Sequence, residues 1–145
     1  TDSEVEKAAG CTVGEIFRKY GEEVFRKGEQ RVIERVLDGE ISVVATGGGS
    51  FVNDKIRRLI KNKGVSVWLR ADLELLYRRT KNRKNRPLLD EGDPKMVLDR
   101  LMKEREIHYS KADIIFDVFD EGADDITQRL IGAIREHQIH DHKTE

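Results

Sequence analysis

Three short runs of apolar and β-branched residues predict β-strands at residues 41–46, 65–69 and 114–118. Each run has the length of a strand, and the first two are apolar enough to be buried on both faces. Longer amphipathic stretches predict helices over residues 22–37, 54–63, 72–83, 94–110 and 124–137. Since the predicted strands alternate with helices, the pattern indicates an α/β domain with a parallel sheet.

Local signals predict where several helices begin and end. Thr12 followed by Glu15 is the capping-box pattern that starts a helix. Gly21 interrupts this helix soon afterwards. Asn53 is placed to open the helix that follows the first predicted strand, and Gly64 to close it.

The composition fits one globular domain. The 145 residues allow a single core, and we predict a domain over residues 1–136 followed by a polar tail, 137–145, that frays. The net charge of −1 gives no reason to expect nucleic acid or a membrane as a partner. The lone Cys11 excludes an internal disulfide and suits a reducing compartment. With no apolar run near the ~20 residues of a membrane span and no secretion leader, we expect a cytoplasmic monomer.

Three consecutive glycines, Gly47, Gly48 and Gly49, follow the first predicted strand and precede a helix. Without Cβ atoms, their backbone N–H groups can approach a ligand closely. A loop at the carboxyl end of a parallel strand is also where α/β sheets bind ligands. A turn that requires positive φ explains the same residues, so both interpretations stay open.

A basic segment runs from Arg78 to Arg86, with six cationic side chains in nine residues. It could bind nucleic acid, although it contains no aromatic stacking partner and the whole chain is not basic. It could be a solvated helix end, where cations complement the helix dipole. The third interpretation is a basic lid that closes over a polyphosphate.

Other charged residues are unremarkable when taken singly. Arg26 and Glu29 have the spacing of a surface salt bridge on a helix. Arg105 looks equally ordinary, and Asp2 lies close to the chain terminus. The histidines of the polar tail are too loosely spaced to predict a metal site.

Together, and in this order, several segments resemble the shikimate kinase family from Thr1 to about Arg135. The segments are Asp2 with the acidic helix start, Ile16-Phe17, Gly21-Glu22, Phe25-Arg26, Ala45-Thr46-Gly47-Gly48-Gly49, Arg86-Pro87-Leu88-Leu89, and Arg105 with Tyr109. The resemblance implies a three-layer fold of the P-loop nucleoside-monophosphate-kinase type with a parallel sheet, here lacking the family's first strands. It also implies an enzyme that phosphorylates the 3-hydroxyl of shikimate with ATP and Mg²⁺, a step of chorismate and aromatic amino-acid biosynthesis.

The resemblance implies roles for the acceptor side of the site. Asp2 matches the carboxylate that contacts the ring hydroxyls and is the candidate general base. Arg26 and Arg105 match two guanidinium groups that bind the substrate carboxylate, for which a planar fork is suited. Glu29 would orient Arg26. The glycines at 47–49 match the backbone wall of the substrate pocket, with Gly48 closest to the substrate.

On the donor side, Arg79 and Arg86 match cations that reach the nucleotide, with Arg86 near the transferred phosphoryl group. Residues 81 to about 93 would form the lid. The implied chemistry is direct in-line transfer from Mg-ATP, which depends on positioning and on neutralising phosphate charge.

The chain departs from the family in one respect. No Gly-x-x-x-x-Gly-Lys-Ser/Thr motif occurs from Thr1 to Glu145, and the family's metal-associated aspartate would precede Thr1, so we assign no metal ligand. The family's first strand would lie between the predicted strands at 41–46 and 65–69, and without it unpaired backbone groups would face a gap. The natural chain could be longer, which we favour, or this could be a poorly folding fragment, or another segment could fill the gap. We therefore expect the bare chain to be unstable or to bind nucleotide weakly.

Alternative functions remain at this point. A non-catalytic relative could bind shikimate without phosphoryl transfer, and the missing motif supports it. Arg79, Arg86 and the basic segment would have no evident use in such a protein. Another small-molecule kinase of the same architecture, such as a gluconate kinase, is a further alternative.

Overall fold

A computed structural model of the chain describes residues 1–81 and 93–141. The chain divides into two compact units, Thr1–Gly64 and Val65–Glu145. The single domain predicted for residues 1–136 stays a prediction, and we describe each unit by itself.

The first unit is helical in its described elements. It contains α1 (Asp2–Ala9), α2 (Val13–Leu37), a 3₁₀ turn (Ser50–Val52) and α3 (Asp54–Lys63). Asn53 caps α3 by accepting from the backbone nitrogens at positions 55 and 56, and Gly64 follows its last residue, as predicted.

The long helix α2 begins and bends where the sequence indicates. The Thr12 side chain accepts from the Glu15 backbone, and the Glu15 carboxylate accepts from the Thr12 backbone, which confirms the capping box. Gly21 has φ 79° and ψ 172° and kinks the helix. A residue with a side chain rarely adopts this conformation, so the kink depends on glycine.

Two apolar clusters stabilise the first unit, and α2 contributes to both. One joins Val5 of α1 to Ile16, Phe25 and Val32 of α2. The other joins Ile33 of α2 to two isoleucines of α3, at positions 56 and 60. The two clusters therefore hold α1 and α3 against the same long helix by burial of apolar surface.

The strand predicted at 41–46 is not formed, so that prediction is wrong. Ile41 and Val43 are 106% and 104% exposed instead of buried. An apolar, β-branched run becomes a strand only when a neighbour accepts and donates its ladder hydrogen bonds. Among residues 1–81 and 93–141, the only strand pairing lies in the second unit.

The second unit contains a two-stranded parallel sheet and its helices. In chain order the elements are β1 (Val67–Arg70), α4 (Leu73–Thr80), α5 (Pro94–Tyr109), β2 (Ile114–Asp117) and α6 (Ala123–Asp141). Val67 pairs with Ile114 and Arg70 with Asp117. The two remaining predicted strands are thus confirmed within two residues at their ends, and their parallel pairing is confirmed as well.

An apolar cluster joins the sheet of the second unit to its helices. Ile114 and Phe116 point to one side of β2 and pack with Leu75 of α4 and Val118. Partly buried residues complete this cluster from β1 and α6, among them Val67, Ile126, Leu130, Ala133 and Ile134. On the opposite face, the Trp68 ring meets the Tyr109 ring of α5 edge-on, with centroids 5.8 Å apart.

Two helix ends differ from the predictions. Helix α4 ends at Thr80 rather than at residue 83. Helix α6 continues to Asp141 rather than ending near residue 137, so the first part of the predicted tail is helical. The predicted lid, 81–93, falls outside the described residues except at its two ends, as does the last part of the tail.

Candidate active site

A fully buried carboxylate lies at the centre of the candidate site in the first unit. Glu29 of α2 is 0% exposed. Its Oε2 atom accepts from Nη1 of Arg26 at 2.8 Å, and its Oε1 atom accepts from Oγ of Ser50 at 2.5 Å. A buried charge is tolerated when it is paired and hydrogen-bonded, and both oxygens of Glu29 meet that condition.

The guanidinium of Arg26 is held from several sides. Besides Glu29, it binds Glu22, whose Oε1 atom accepts from Nε at 3.2 Å and from Nη2 at 3.1 Å. It also lies 5.1 Å from the centroid of the Phe25 ring. Burial alone would lower the pKa of Arg26, but Glu29 first and Glu22 second outweigh it, so the pKa is raised. Arg26 is therefore a fixed cation, with 23% of its side chain still exposed.

The glycine loop lies directly against these charges. A Cβ atom at Gly49 would lie 2.3 Å from Nη2 of Arg26, and one at Gly47 would lie 3.0 Å from Oε1 of Glu29. Neither glycine has a positive φ. The sequence left open whether these glycines serve a turn of positive φ or the close approach of a ligand. At Gly47 and Gly49 the groups that approach closely are the side chains of Glu29 and Arg26. Gly48, between them, is exposed.

The start of the chain is tied to the same loop. The Thr1 nitrogen donates to the carbonyl of Ala45 at 2.6 Å, and the Gly47 nitrogen donates to Oγ1 of Thr1 at 3.3 Å. Asp2 follows, exposed, with its Oδ1 atom 3.4 Å from the position of a Cβ on Gly47. The first unit thus brings together four predicted site residues: Asp2, Arg26, Gly47 and Gly49.

Two other predicted residues lie in the second unit. Nη2 of Arg79, at the end of α4, donates to the carbonyls of Phe119 at 3.4 Å and Glu121 at 3.2 Å. Arg105 is half-buried towards the end of α5. Arg86 lies outside the described residues.

The described part of the basic segment is engaged with its own unit. Arg78 forms an ion pair with Asp120 at 3.0 Å, beside the carbonyls that Arg79 binds. Both cations therefore contact the loop after β2, at the carboxyl edge of the sheet where ligands bind in α/β proteins.

No group of three or more His, Cys, Asp or Glu side chains among residues 1–81 and 93–141 could hold a metal ion. None of the described helices is both long enough and apolar enough to cross a membrane.

The family model for shikimate kinase matches residues 1–135. The chain belongs to the shikimate kinase family. It is 51% identical over 121 residues to a shikimate kinase of Paramagnetospirillum magneticum, covering 83% of this chain and 62% of the relative. It is 46% identical over 136 residues to a shikimate kinase of Bradyrhizobium diazoefficiens, covering 94% of this chain and 66% of the relative. The chain therefore spans less than two thirds of the length of these two shikimate kinases.

Solved shikimate kinases have the same fold. The enzyme from Acinetobacter baumannii, in complex with shikimate, superposes with a TM-score of 0.88 at 34% identity, covering 93% of this chain and 76% of that one. The enzyme from Bacteroides thetaiotaomicron gives a TM-score of 0.82 at 27% identity, covering 92% and 81%. The fold class implied by the sequence is thereby confirmed.

Two residues of the site had no role assigned from the sequence. Ser50 contacts Glu29 across 21 positions of the chain, and no local pattern signals such a contact. Glu22 precedes Arg26 by four positions on a helix, which is a detectable signal for an ion pair.

Proposed function

We propose that the protein is a shikimate kinase, which transfers the γ-phosphoryl group of ATP to the 3-hydroxyl of shikimate. The observation that carries the proposal is the Arg26 guanidinium, fixed by buried Glu29 and placed over Gly49 in the same unit as Asp2. An anchored cation beside a loop without side chains suits a small anionic acceptor. The product would enter the aromatic amino-acid pathway.

Carboxylate recognition would rest on two arginines. Arg26 already has its pKa raised and its geometry set by Glu29 and Glu22, so little side-chain freedom is lost on binding. Arg105 would supply the second guanidinium. A planar fork donates two parallel hydrogen bonds to a carboxylate, which a lysine cannot do.

Asp2 would act on the attacking hydroxyl. Its carboxylate is exposed and lies beside Gly47, on the first residue of α1. In the proposed step the 3-hydroxyl oxygen forms a bond to the γ-phosphorus, the bond to the ADP oxygen breaks, and the hydroxyl proton passes to Asp2. Asp2 would also fix the hydroxyl in line for attack, which is the larger part of such catalysis.

Arg79 and Arg86 would contact the nucleotide, and their positive charge would offset the negative charge of its phosphates. Arg79 is anchored on the carbonyls of Phe119 and Glu121, so its position is defined. Mg²⁺ would arrive as part of the Mg-ATP substrate, and we assign no residue of this chain to it.

We propose further that the protein works in the cytoplasm as a monomer. The lone Cys11 fits a reducing compartment. Size-exclusion chromatography with light scattering tests the oligomeric state, and a dimer at micromolar concentration would contradict it.

The test is shikimate-dependent release of ADP from Mg-ATP. It would be run on the 145-residue chain and on a chimera that adds, before Thr1, the residues preceding the matched segment in the Paramagnetospirillum relative. Calorimetric titration with shikimate, and with gluconate as the matched sugar-acid control, would accompany it.

Turnover that requires shikimate, in either protein, supports the proposal. Shikimate binding without any ADP release in a folded chimera would instead identify a non-catalytic binding protein. Tighter binding of gluconate than of shikimate would indicate that the protein is a kinase for a different sugar acid.

A further inference from the structure

Ser50 is one of the few fully buried polar residues of the first unit. It is 0% exposed and begins the 3₁₀ turn that directly follows the three glycines. Its Oγ atom donates to Oε1 of Glu29 at 2.5 Å. A hydroxyl donating to an ionised carboxylate forms one of the stronger classes of hydrogen bond, and burial increases its strength.

The contact belongs to a chain of three side chains. Oε1 of Glu29 takes the hydrogen bond from Ser50, and Oε2 takes the one from Arg26. A carboxylate held through one oxygen can still rotate about its terminal torsion, which is broad. Two donors on opposite oxygens remove that rotation. Ser50 therefore fixes the direction in which Glu29 presents its second oxygen to Arg26.

The same contact links Arg26 to the glycine loop. Ser50 is the next residue after Gly49, over which the Arg26 guanidinium lies. The backbone nitrogen of Ser50 also donates to the Gly47 carbonyl at 3.0 Å. A shift of the loop would thus move the hydroxyl that orients Glu29, and Arg26 with it.

We propose that Ser50 is a positioning residue for anion binding by Arg26, acting through Glu29. The proposal rests on the proposed function, since it takes shikimate as the anion. Ser50 is fully buried and has no surface to offer a ligand, so its effect on binding must pass through the two charged side chains.

A double-mutant cycle tests this. Ser50→Ala is expected to raise the Kd for shikimate roughly tenfold, as loss of a hydrogen bond to a charged group does. In an Arg26→Ala background, adding Ser50→Ala is expected to change the Kd less than about twofold, because its route to the ligand is gone. Equal losses in both backgrounds would overturn the proposal.

The second unit offers a matched control. Oγ of Ser66 donates to Oδ2 of Asp113, also at 2.5 Å, in an exposed pair, and it accepts from the Asp113 nitrogen at 3.0 Å. Ser66→Ala also removes a serine-to-carboxylate hydrogen bond, and it is expected to leave shikimate binding unchanged. If Ser66→Ala weakened binding as much as Ser50→Ala, the effect would be general destabilisation and the proposal would fail.

A readout without ligand separates this inference from the proposed function. In NMR spectra, the guanidinium protons of Arg26 are expected to exchange with water faster in Ser50→Ala than in the parent, while the α2 backbone amides are unchanged. Unchanged guanidinium exchange overturns the positioning role, even if shikimate binds. Faster guanidinium exchange in a chain that does not bind shikimate would support the positioning role of Ser50. The same result would contradict the proposal that shikimate is the substrate.

Discussion

The guanidinium of Arg26 occupies the space that a side chain at Gly49 would need. A Cβ built at Gly49 lies 2.3 Å from Nη2, 2.6 Å from Cζ and 2.7 Å from Nη1 of Arg26. Atoms do not approach so closely, so one of the two groups would have to move. Gly49 has φ −88° and ψ −15°, which any residue adopts. Position 49 therefore requires glycine because the Arg26 guanidinium occupies the space of a side chain, and not because of the backbone conformation.

Gly49→Ala should weaken both binding and stability. The methyl group would displace the Arg26 guanidinium from fully buried Glu29, so we expect the free energy of unfolding to fall by about 1–3 kcal/mol. The Kd for shikimate should rise about tenfold or more, since the anion-binding guanidinium is moved. Titration calorimetry and urea unfolding measure the two effects.

Gly132→Ala is the control for that substitution. Gly132 lies within α6, and nothing comes within 4 Å of a Cβ built there. It should leave shikimate binding unaltered. A Gly49→Ala protein that binds shikimate as the parent does would show that Arg26 is not the anion site.

Gly21 and Gly28 should respond in opposite directions to alanine. Gly21 has φ 79° and ψ 172° at the kink of α2, so Gly21→Ala should lower the free energy of unfolding by about 1–3 kcal/mol. Gly28 lies in the same helix, and nothing comes within 4 Å of a Cβ atom built there. Gly28→Ala should therefore raise the free energy of unfolding by about 0.5–1 kcal/mol. Urea unfolding of both variants checks the pair, and equal shifts of one sign would contradict the assigned kink.

Local patterns in the sequence predicted the local structure well. The capping box at Thr12, the kink at Gly21 and the cap at Asn53 depend on interactions within a few residues, and all three are present. The strand at 41–46 failed because a strand depends on a neighbour, which its own composition cannot supply. The exposed side chains of Ile41 and Val43 show the result.

The candidate site was predictable only through the family resemblance. Arg26 and Glu29 alone have the spacing of a surface ion pair, and nothing in that spacing signals that Glu29 is fully buried. Burial depends on the glycine loop, about 20 residues later in the chain, folding over the helix. Ser50 was missed for the same reason, because its partner is distant in sequence.

The ion pair between Arg70 and Asp117 should make stability depend on pH in the acid range. Nε and Nη2 of Arg70 donate to the two carboxylate oxygens at 2.6 and 2.9 Å. The hydrogen bonds from Arg70 hold the pKa of Asp117 below its ordinary 3.8. Because the pKa of Asp117 is lower in the folded state, the ion pair stabilises the fold fully at pH values above the ordinary pKa. That stabilisation is lost as the pH falls through the pKa of Asp117 in the folded state.

Asp117→Asn isolates that contribution. The variant should have a lower urea midpoint than the parent near neutral pH, and the difference should shrink below about pH 4. Other carboxylates titrate in both proteins, so the difference reports Asp117. A midpoint difference that stays constant down to about pH 2 would mean that the ion pair is not the cause.

Asp2→Asn and Arg105→Ala should affect different kinetic constants. Asparagine keeps the shape of the side chain but cannot accept the hydroxyl proton, so kcat should fall about 100-fold with little change in KM for shikimate. Arg105→Ala removes a guanidinium that would bind the carboxylate in both ground and transition states, so KM should rise about tenfold or more with kcat nearly kept. Steady-state assays of both variants, in whichever form of the protein turns over, measure the split. Retention of kcat in Asp2→Asn would leave Asp2 only an orienting role, because in-line transfer to a metaphosphate-like phosphorus can proceed with late loss of the hydroxyl proton.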